Sequence, residues 1–145
     1  MLMDLFRAKV SSRIVLVMGS PYATDLLYHA DLLRWQEEHK NFTYLTAISR
    51  EKCADGPAMY CHERLRHSRD TLIPVVESDR TLIYMCGIAG MELGVFQGLA
   101  AALPAAAREQ YLGVDAEALS DIPAWTRRMI HKQVRPTRRV FMEVY

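Results

Sequence analysis

Three short stretches carry residue types that could grip or orient a small ligand. The first is Thr81 to Glu92, TLIYMCGIAGME. Its opening six residues are an apolar, β-rich run that suits a strand buried on both faces of a parallel sheet. Gly87 and Gly90 break that pattern, and from Met91 onward the chain becomes Ala- and Leu-rich with helical spacing. Cys86 and Gly87 therefore fall at a strand's carboxyl end, the edge where ligands bind in open α/β sheets. A thiol followed by a residue without Cβ lets a flat ligand approach the backbone, although a cysteine there also serves as a small hydrophobe. The second stretch is Ser49-Arg50, just beyond another strand, where a hydroxyl and a guanidinium can hold a phosphate through charge-assisted hydrogen bonds; the plainer reading of Arg50 is a surface charge. The third is Gly19-Ser20-Pro21, a turn at the ligand-facing end of a further strand, or an ordinary βα turn.

The elements that would position these residues alternate along the chain. Met1 to Lys9 reads as a helix with Leu2, Leu5 and Phe6 on one face. Arg13 to Met18 is a doubly buried strand. Residues 24 to 39 suit a helix capped by Thr24 or Asp25, with Leu26, Ala30 and Leu33 along its buried stripe. Asn41 to Ser49 is the next strand, followed by a loop with Asp55, Gly56 and Pro57. Residues 62 to 77 read as a helix that Pro74 should kink or restart. After the Thr81–Cys86 strand come helices from Met91 to about Leu103 and near Arg108 to Leu112. A further helix is expected from about Ala124 to Val134, with Pro123 near its first turn and Pro136 beyond its end. Arg139 to Tyr145 alternates as a last strand. This succession predicts an α/β fold, a three-layer αβα arrangement around an open parallel sheet, in one domain over residues 1–145.

Composition narrows the function classes. The chain has 145 residues, 50% hydrophobic and 24% charged, ordinary for one globular domain with a real core. A formal net charge of +1 gives no field that would favour nucleic acid or an anionic membrane, so neither is expected as a partner. Arg127, Arg128, Lys132, Arg135, Arg138 and Arg139 do cluster, as a solvated helix face or as a docking surface for an acidic partner. Cys53, Cys61 and Cys86 lack the paired spacing of zinc sites, and no metal is expected. Three unpaired thiols suit a reducing compartment. No apolar run reaches membrane-span length, and Asp4 and Arg7 interrupt the N-terminus too early for a signal peptide. The expected location is cytoplasmic.

Taken together, Gly19-Ser20-Pro21 with Leu26-Leu27-Tyr28, Ile48-Ser49-Arg50-Glu51, Met59-Tyr60, Tyr84-Met85-Cys86-Gly87 with Gly90-Met91-Glu92, and the terminal Glu143-Val144-Tyr145 resemble the plant-type ferredoxin–NADP(+) reductase family, in its order and approximate spacing. The resemblance implies the NADP(H)-binding half of a reductase that moves electrons between NADPH, FAD and a one-electron partner. That partner would be ferredoxin, flavodoxin or an oxygenase component. Ser49 and Arg50 would take the 2′-phosphate of NADP, where an acidic residue would instead favour the free ribose hydroxyl of NAD. Tyr60 would lie against adenine, with His62 nearby, and Gly19, Ser20 and Pro21 would pass the adenosine and pyrophosphate. Gly87 and Met91 would border the nicotinamide. Cys86 would contact it by size and polarisability, Glu143 would orient it and support proton movement, and Tyr145 would stack on the flavin and move aside for nicotinamide.

The match is imperfect at three places. Ala58 stands where the family pattern has a phosphate-binding lysine, and His62 where it has a glutamine, which shifts weight onto Arg50. The FAD-binding barrel has no counterpart, and the family's first strand and glycine-rich loop would fall before Met1. Because that strand is central in the family sheet, a gap is expected between the Arg13–Met18 and Thr81–Cys86 strands; the chain is expected to be a fragment of a longer reductase or one half of a complex, completed by another polypeptide or by a rearranged N-terminus, and inactive without an FAD-binding domain or subunit. The competing reading is a nucleotide-binding or interaction module of the same fold without electron transfer. An ordinary NAD-linked dehydrogenase is disfavoured because no G-x-G-x-x-G follows a strand.

Overall fold

A computed structural model describes residues 1–52 and 56–145; Cys53 and Asp55 of the expected loop lie outside the described residues. The chain divides into two compact units, Met1–Cys61 and His62–Tyr145.

The first unit contains α1 (Leu2–Arg7), β1 (Ile14–Ser20), α2 (His29–Glu38) and β2 (Phe42–Ile48). β1 and β2 pair in parallel, from Ile14 opposite Phe42 to Ser20 opposite Ile48. Leu32, Phe42 and Tyr44 form the core, with Leu2, Phe6, Leu16, Met18 and Trp35 packed against it. Phe6 stacks on His39 at 4.0 Å and meets Phe42 edge-on at 5.3 Å, which docks the short α1. The loop into β1 is closed by the Asn41 side-chain amide, which donates to the Val10 and Ser12 carbonyls.

α2 starts later than its sequence suggests. Ala23–Asp25 is a 3₁₀ turn, Leu26 is extended, and Tyr28 takes a left-handed φ of 57° before the helix begins. Those two conformations interrupt the i→i−4 ladder, so neither Thr24 nor Asp25 caps α2. The buried stripe also rotates: Leu32 and Trp35 face the core, while Ala30 and Leu33 are exposed.

The second unit contains α3 (Arg64–His67), α4 (Arg69–Val76), β3 (Ile83–Gly87), α5 (Met91–Ala102), α6 (Ala105–Glu109), β4 (Leu112–Val114), α7 (Ala116–Leu119), β5 (Val134–Pro136) and β6 (Val140–Val144). β3 and β6 pair in parallel, and β4 and β5 antiparallel. Phe96, Leu99, Tyr111, Leu112 and Val134 are the largest fully buried side chains. α5 meets the preceding segment closely through glycine: a Cβ at Gly94 would fall 2.6 Å from His62 Nδ1, and one at Gly98 3.0 Å from Leu65 Cδ1.

Three expectations fail in this unit. The helix expected over residues 62–77 comes as two pieces that break at Ser68. Pro74 lies inside the second piece, which ends soon after, at Val76. The stretch near Arg108 to Leu112 leaves its helix after Glu109 and enters β4. The helix expected from Ala124 to Val134 does not form. Trp125 is buried, its indole N–H donating to the Ala118 carbonyl at 2.7 Å, and the chain continues through a 3₁₀ turn at Arg127–Met129 into β5. Burial of one large ring and the pairing of Val134 with Val114 outweigh local helical spacing there. The basic cluster is therefore no helix face. Arg127 pairs with Glu92, Arg135 with Asp115, and the Arg139 guanidinium donates to the Asp79 and Thr81 carbonyls.

The fold is α/β with parallel strand pairs, and among the described strands β1 pairs only with β2 and β3 only with β6. The reading of doubly buried strands is corrected: β1 is half-buried, and Tyr84 and Cys86 on one face of β3 are exposed beside Phe141 and Glu143 of β6, as is Leu82 just before the strand. Tyr84 and Phe141 cover each other instead, stacked at 4.7 Å. Among the described residues no helix is long and apolar enough to cross a membrane.

The fully buried Tyr111 donates its hydroxyl to the Val76 carbonyl at 2.8 Å, and burial raises its pKa above the usual phenol value. Tyr111→Phe leaves that carbonyl without its hydroxyl donor and should lower unfolding free energy by about 1–2 kcal/mol, read as a lower urea midpoint with unchanged slope.

Candidate functional site

The first unit gathers its expected ligand residues at the carboxyl end of β1 and β2. Beyond the strands the ladder continues, because the Ser49 N–H donates to Ser20 O and the Arg50 N–H to Pro21 O, each at 3.0 Å. Glu51 Oε1 then accepts the Ala23 N–H at 2.6 Å, and the Met59 N–H reaches Ile48 O at 2.7 Å. Parallel register thus brings Gly19, Ser20, Pro21, Ser49, Arg50 and Tyr60 to one rim. Arg50 is exposed and Tyr60 is 63% exposed, so a guanidinium and an aromatic face are both available from solvent.

Gly19 is a packing requirement here. A Cβ on it would stand 2.5 Å from Cys61 Sγ, so only glycine lets the segment carrying Tyr60 and Cys61 lie this close to the end of β1. His62 belongs to the second unit, where it is half-buried with its ring against Gly94 of α5.

The second unit builds a rim of its own at the end of β3 and β6. Cys86 stands opposite Glu143, and Gly87 opposite Val144. The chain end is then held twice by its backbone: the Tyr145 N–H donates to Gly87 O at 3.1 Å, and Tyr145 O accepts the Ala89 N–H at 2.9 Å. The Tyr145 ring remains 82% exposed. Met91 folds back over the turn, with its Cε 3.2 Å from where a Gly87 Cβ would be. Cys86, Gly87, Met91, Glu143 and Tyr145 therefore share one neighbourhood, with the Cys86, Glu143 and Tyr145 side chains open to solvent.

Glu92 secures this turn. Its side chain is 4% exposed; Oε2 accepts the Gly90 N–H at 2.7 Å and Oε1 accepts Arg127 Nε at 2.8 Å. Burial alone would raise its pKa, but hydrogen bonds from the Glu92 backbone N–H, the Arg127 guanidinium and the Gly90 N–H together bring it below the usual carboxylate value. Gly90 adopts a φ of 107°, which glycine tolerates at little cost.

Each rim offers exposed polar groups at strand ends beside glycine, the setting in which α/β sheets take nucleotides. Residues 1–96 match the sequence profile of the oxidoreductase NAD-binding domain. The chain belongs to that family. It is 38% identical over 89 residues to a ferredoxin–NADP reductase of Spirulina sp, covering 60% of this chain and 30% of that relative. It is 36% identical over 86 residues to a ferredoxin–NADP reductase of Picosynechococcus sp., covering 58% and 21%. A leaf isozyme 2 ferredoxin–NADP reductase of Oryza sativa is 37% identical over 82 residues, covering 55% and 22%. The resemblance read from the motifs is therefore sound, and the chain spans less than a third of the length of these relatives. The matched profile includes the first rim and Cys86 through Met91, but it stops before Glu143 and Tyr145.

Glu51 and Glu92 fix their loops through backbone donors, a role that the motifs around them do not announce. The available signal is chemical: an acid immediately after Arg50, and another in the first turn after Gly90, can each be held by a backbone donor.

Because Glu92 ionises more readily folded than unfolded, it stabilises the fold above the ordinary glutamate pKa of about 4.3, and that contribution disappears as pH falls through its lower folded value. Glu92→Gln should lower the urea midpoint at neutral pH and flatten the wild-type loss of stability in acid. A variant retaining the full acid slope would remove Glu92 as its source.

Proposed function

We propose that this chain is the NADP(H)-binding part of a flavin-dependent oxidoreductase that moves hydride between NADPH and FAD and passes electrons to ferredoxin, flavodoxin or an oxygenase-type acceptor. The observation that carries the reading is the register of β3 with β6, which sets Cys86 beside Glu143 and ties Tyr145 to Gly87. Kinship with ferredoxin–NADP reductases supports it.

In this reading Arg50 and Ser49 hold the 2′-phosphate, Tyr60 lies against adenine, and Gly19, Ser20 and Pro21 border the adenosine and pyrophosphate. The exposed Arg50 suits that task because a guanidinium presents fixed paired donors to a phosphate. Cys86, Gly87 and Met91 shape the place for the nicotinamide, where the glycine permits close approach. Glu143 orients the carboxamide and accepts or returns a proton at its carboxylate. Tyr145 offers a ring for a flavin and shields that place from water. Since its backbone is bonded to Gly87 and Ala89, the ring must swing about its side-chain torsions, and the chain end itself stays put. FAD, when bound, supplies the hydride-accepting ring. The exposed Tyr145 suits one face of such a ring, while the remainder of the FAD site falls to a partner domain or subunit. The residues here need position more than acid–base strength.

Calorimetry of the chain with 2′-phospho-AMP and with AMP tests the adenosine end. The former should bind more tightly, and Arg50→Ala should weaken it roughly 10- to 100-fold, the worth of a charged hydrogen bond, while leaving AMP nearly unchanged. Equal affinities for the two nucleotides in the wild-type chain would refute the assignment. With an FAD-carrying domain supplied, Tyr145→Ser should increase turnover with NADH relative to NADPH. Bound nucleotide without hydride transfer in that mixture would indicate an interaction module.

A further inference from the structure

The first rim holds one contact that depends on a single side chain. The post-β1 and post-β2 loops are tied by Ser49 N–H to Ser20 O and Arg50 N–H to Pro21 O, which any residues could supply. The third tie is Ala23 N–H to Glu51 Oε1 at 2.6 Å, and it exists only because an acceptor of this reach stands at position 51. Its donor is the first residue of the 3₁₀ turn Ala23–Asp25, an N–H that the turn itself leaves without a partner.

From this we infer that Glu51 is a positioning residue of the nucleotide site: it latches the Gly19–Ala23 loop onto the Ser49–Arg50 turn and so presets Arg50 for a phosphate on the adenosine ribose. The inference rests on the functional reading above. Its chemistry has two opposing parts. A carboxylate next to Arg50 repels an incoming phosphate and could neutralise the guanidinium through an ion pair. Bonded to the Ala23 N–H, the carboxylate is instead held by a backbone dipole, and among the described residues Arg50 forms no salt bridge. The latch favours phosphate binding by ordering both loops in advance, so that less freedom is lost when the nucleotide binds. The negative charge opposes it.

Two substitutions separate these parts. Glu51→Gln keeps an acceptor oxygen at the same reach and removes the charge, whereas Glu51→Ala removes both. In calorimetry with 2′-phospho-AMP, Glu51→Ala should bind up to about tenfold more weakly than wild type, in keeping with one lost ordering hydrogen bond. Glu51→Gln should bind as tightly as wild type or more so, and AMP should discriminate little among the three proteins. Amide hydrogen exchange supplies a readout that needs no nucleotide: the Ala23 N–H should be protected in wild type and Glu51→Gln and exchange faster in Glu51→Ala. Unchanged Ala23 exchange in Glu51→Ala overturns the latch. Faster exchange with unchanged 2′-phospho-AMP affinity, or Glu51→Gln binding as weakly as Glu51→Ala, overturns its role in presetting Arg50. If wild type itself fails to prefer 2′-phospho-AMP over AMP, the functional reading fails, and Ala23 exchange still decides whether the latch exists.

Discussion

Both candidate rims of this protein hang on the register of two parallel backbone ladders. In a parallel pair the hydrogen bonds are evenly spaced, and a slip of one residue would turn every side chain to the opposite face. With Ser20 opposite Ile48, the next residues along, Ser49 and Arg50, emerge beside Pro21. With Cys86 opposite Glu143, the chain end arrives at Gly87. The backbone gathers the residues, and burial on one face of each strand pair holds the register: Phe42 and Tyr44 on β2, Met85 and Val140 on β3 and β6.

Close approach is the second constraint. At Gly19 the Cys61 sulfur occupies the space of a missing Cβ, and at Gly94 the His62 ring does the same. A methyl group at either position would push those neighbours away. Carboxylates then fix the loops that leave the strands. Glu51 holds Ala23, and Glu92 holds Gly90 while paired with Arg127. Each is anchored to a backbone N–H, and Glu92 also to a guanidinium, so the charge is used locally.

The exposed face of β3 and β6 follows from the same architecture. Tyr84 and Phe141 stack on each other there, covering part of their own apolar surface, beside the row formed by Cys86 and Glu143. β1 likewise keeps one edge free of described strands, although Ile14 to Met18 has the composition of a central strand.

Local chemistry alone is enough to read the strands at Ile14, Phe42 and Ile83 and the glycine turn after Cys86, because apolar β-rich runs ended by glycine or proline admit few other conformations. It could not reveal where α2 begins, since that depends on Tyr28 adopting a left-handed backbone and on Leu32 reaching the core. Nor could it exclude a helix at Ala124–Val134, where the spacing is helical but a buried Trp125 and the pairing of Val134 with Val114 prevail. Which residues stand at strand ends is legible in the chain alone, because strand propensity and turn chemistry act over a few neighbours. Which strand ends meet, which carboxylates hold the loops and which faces stay bare depend on register, burial and contacts between residues far apart in the chain, and so emerge with the fold.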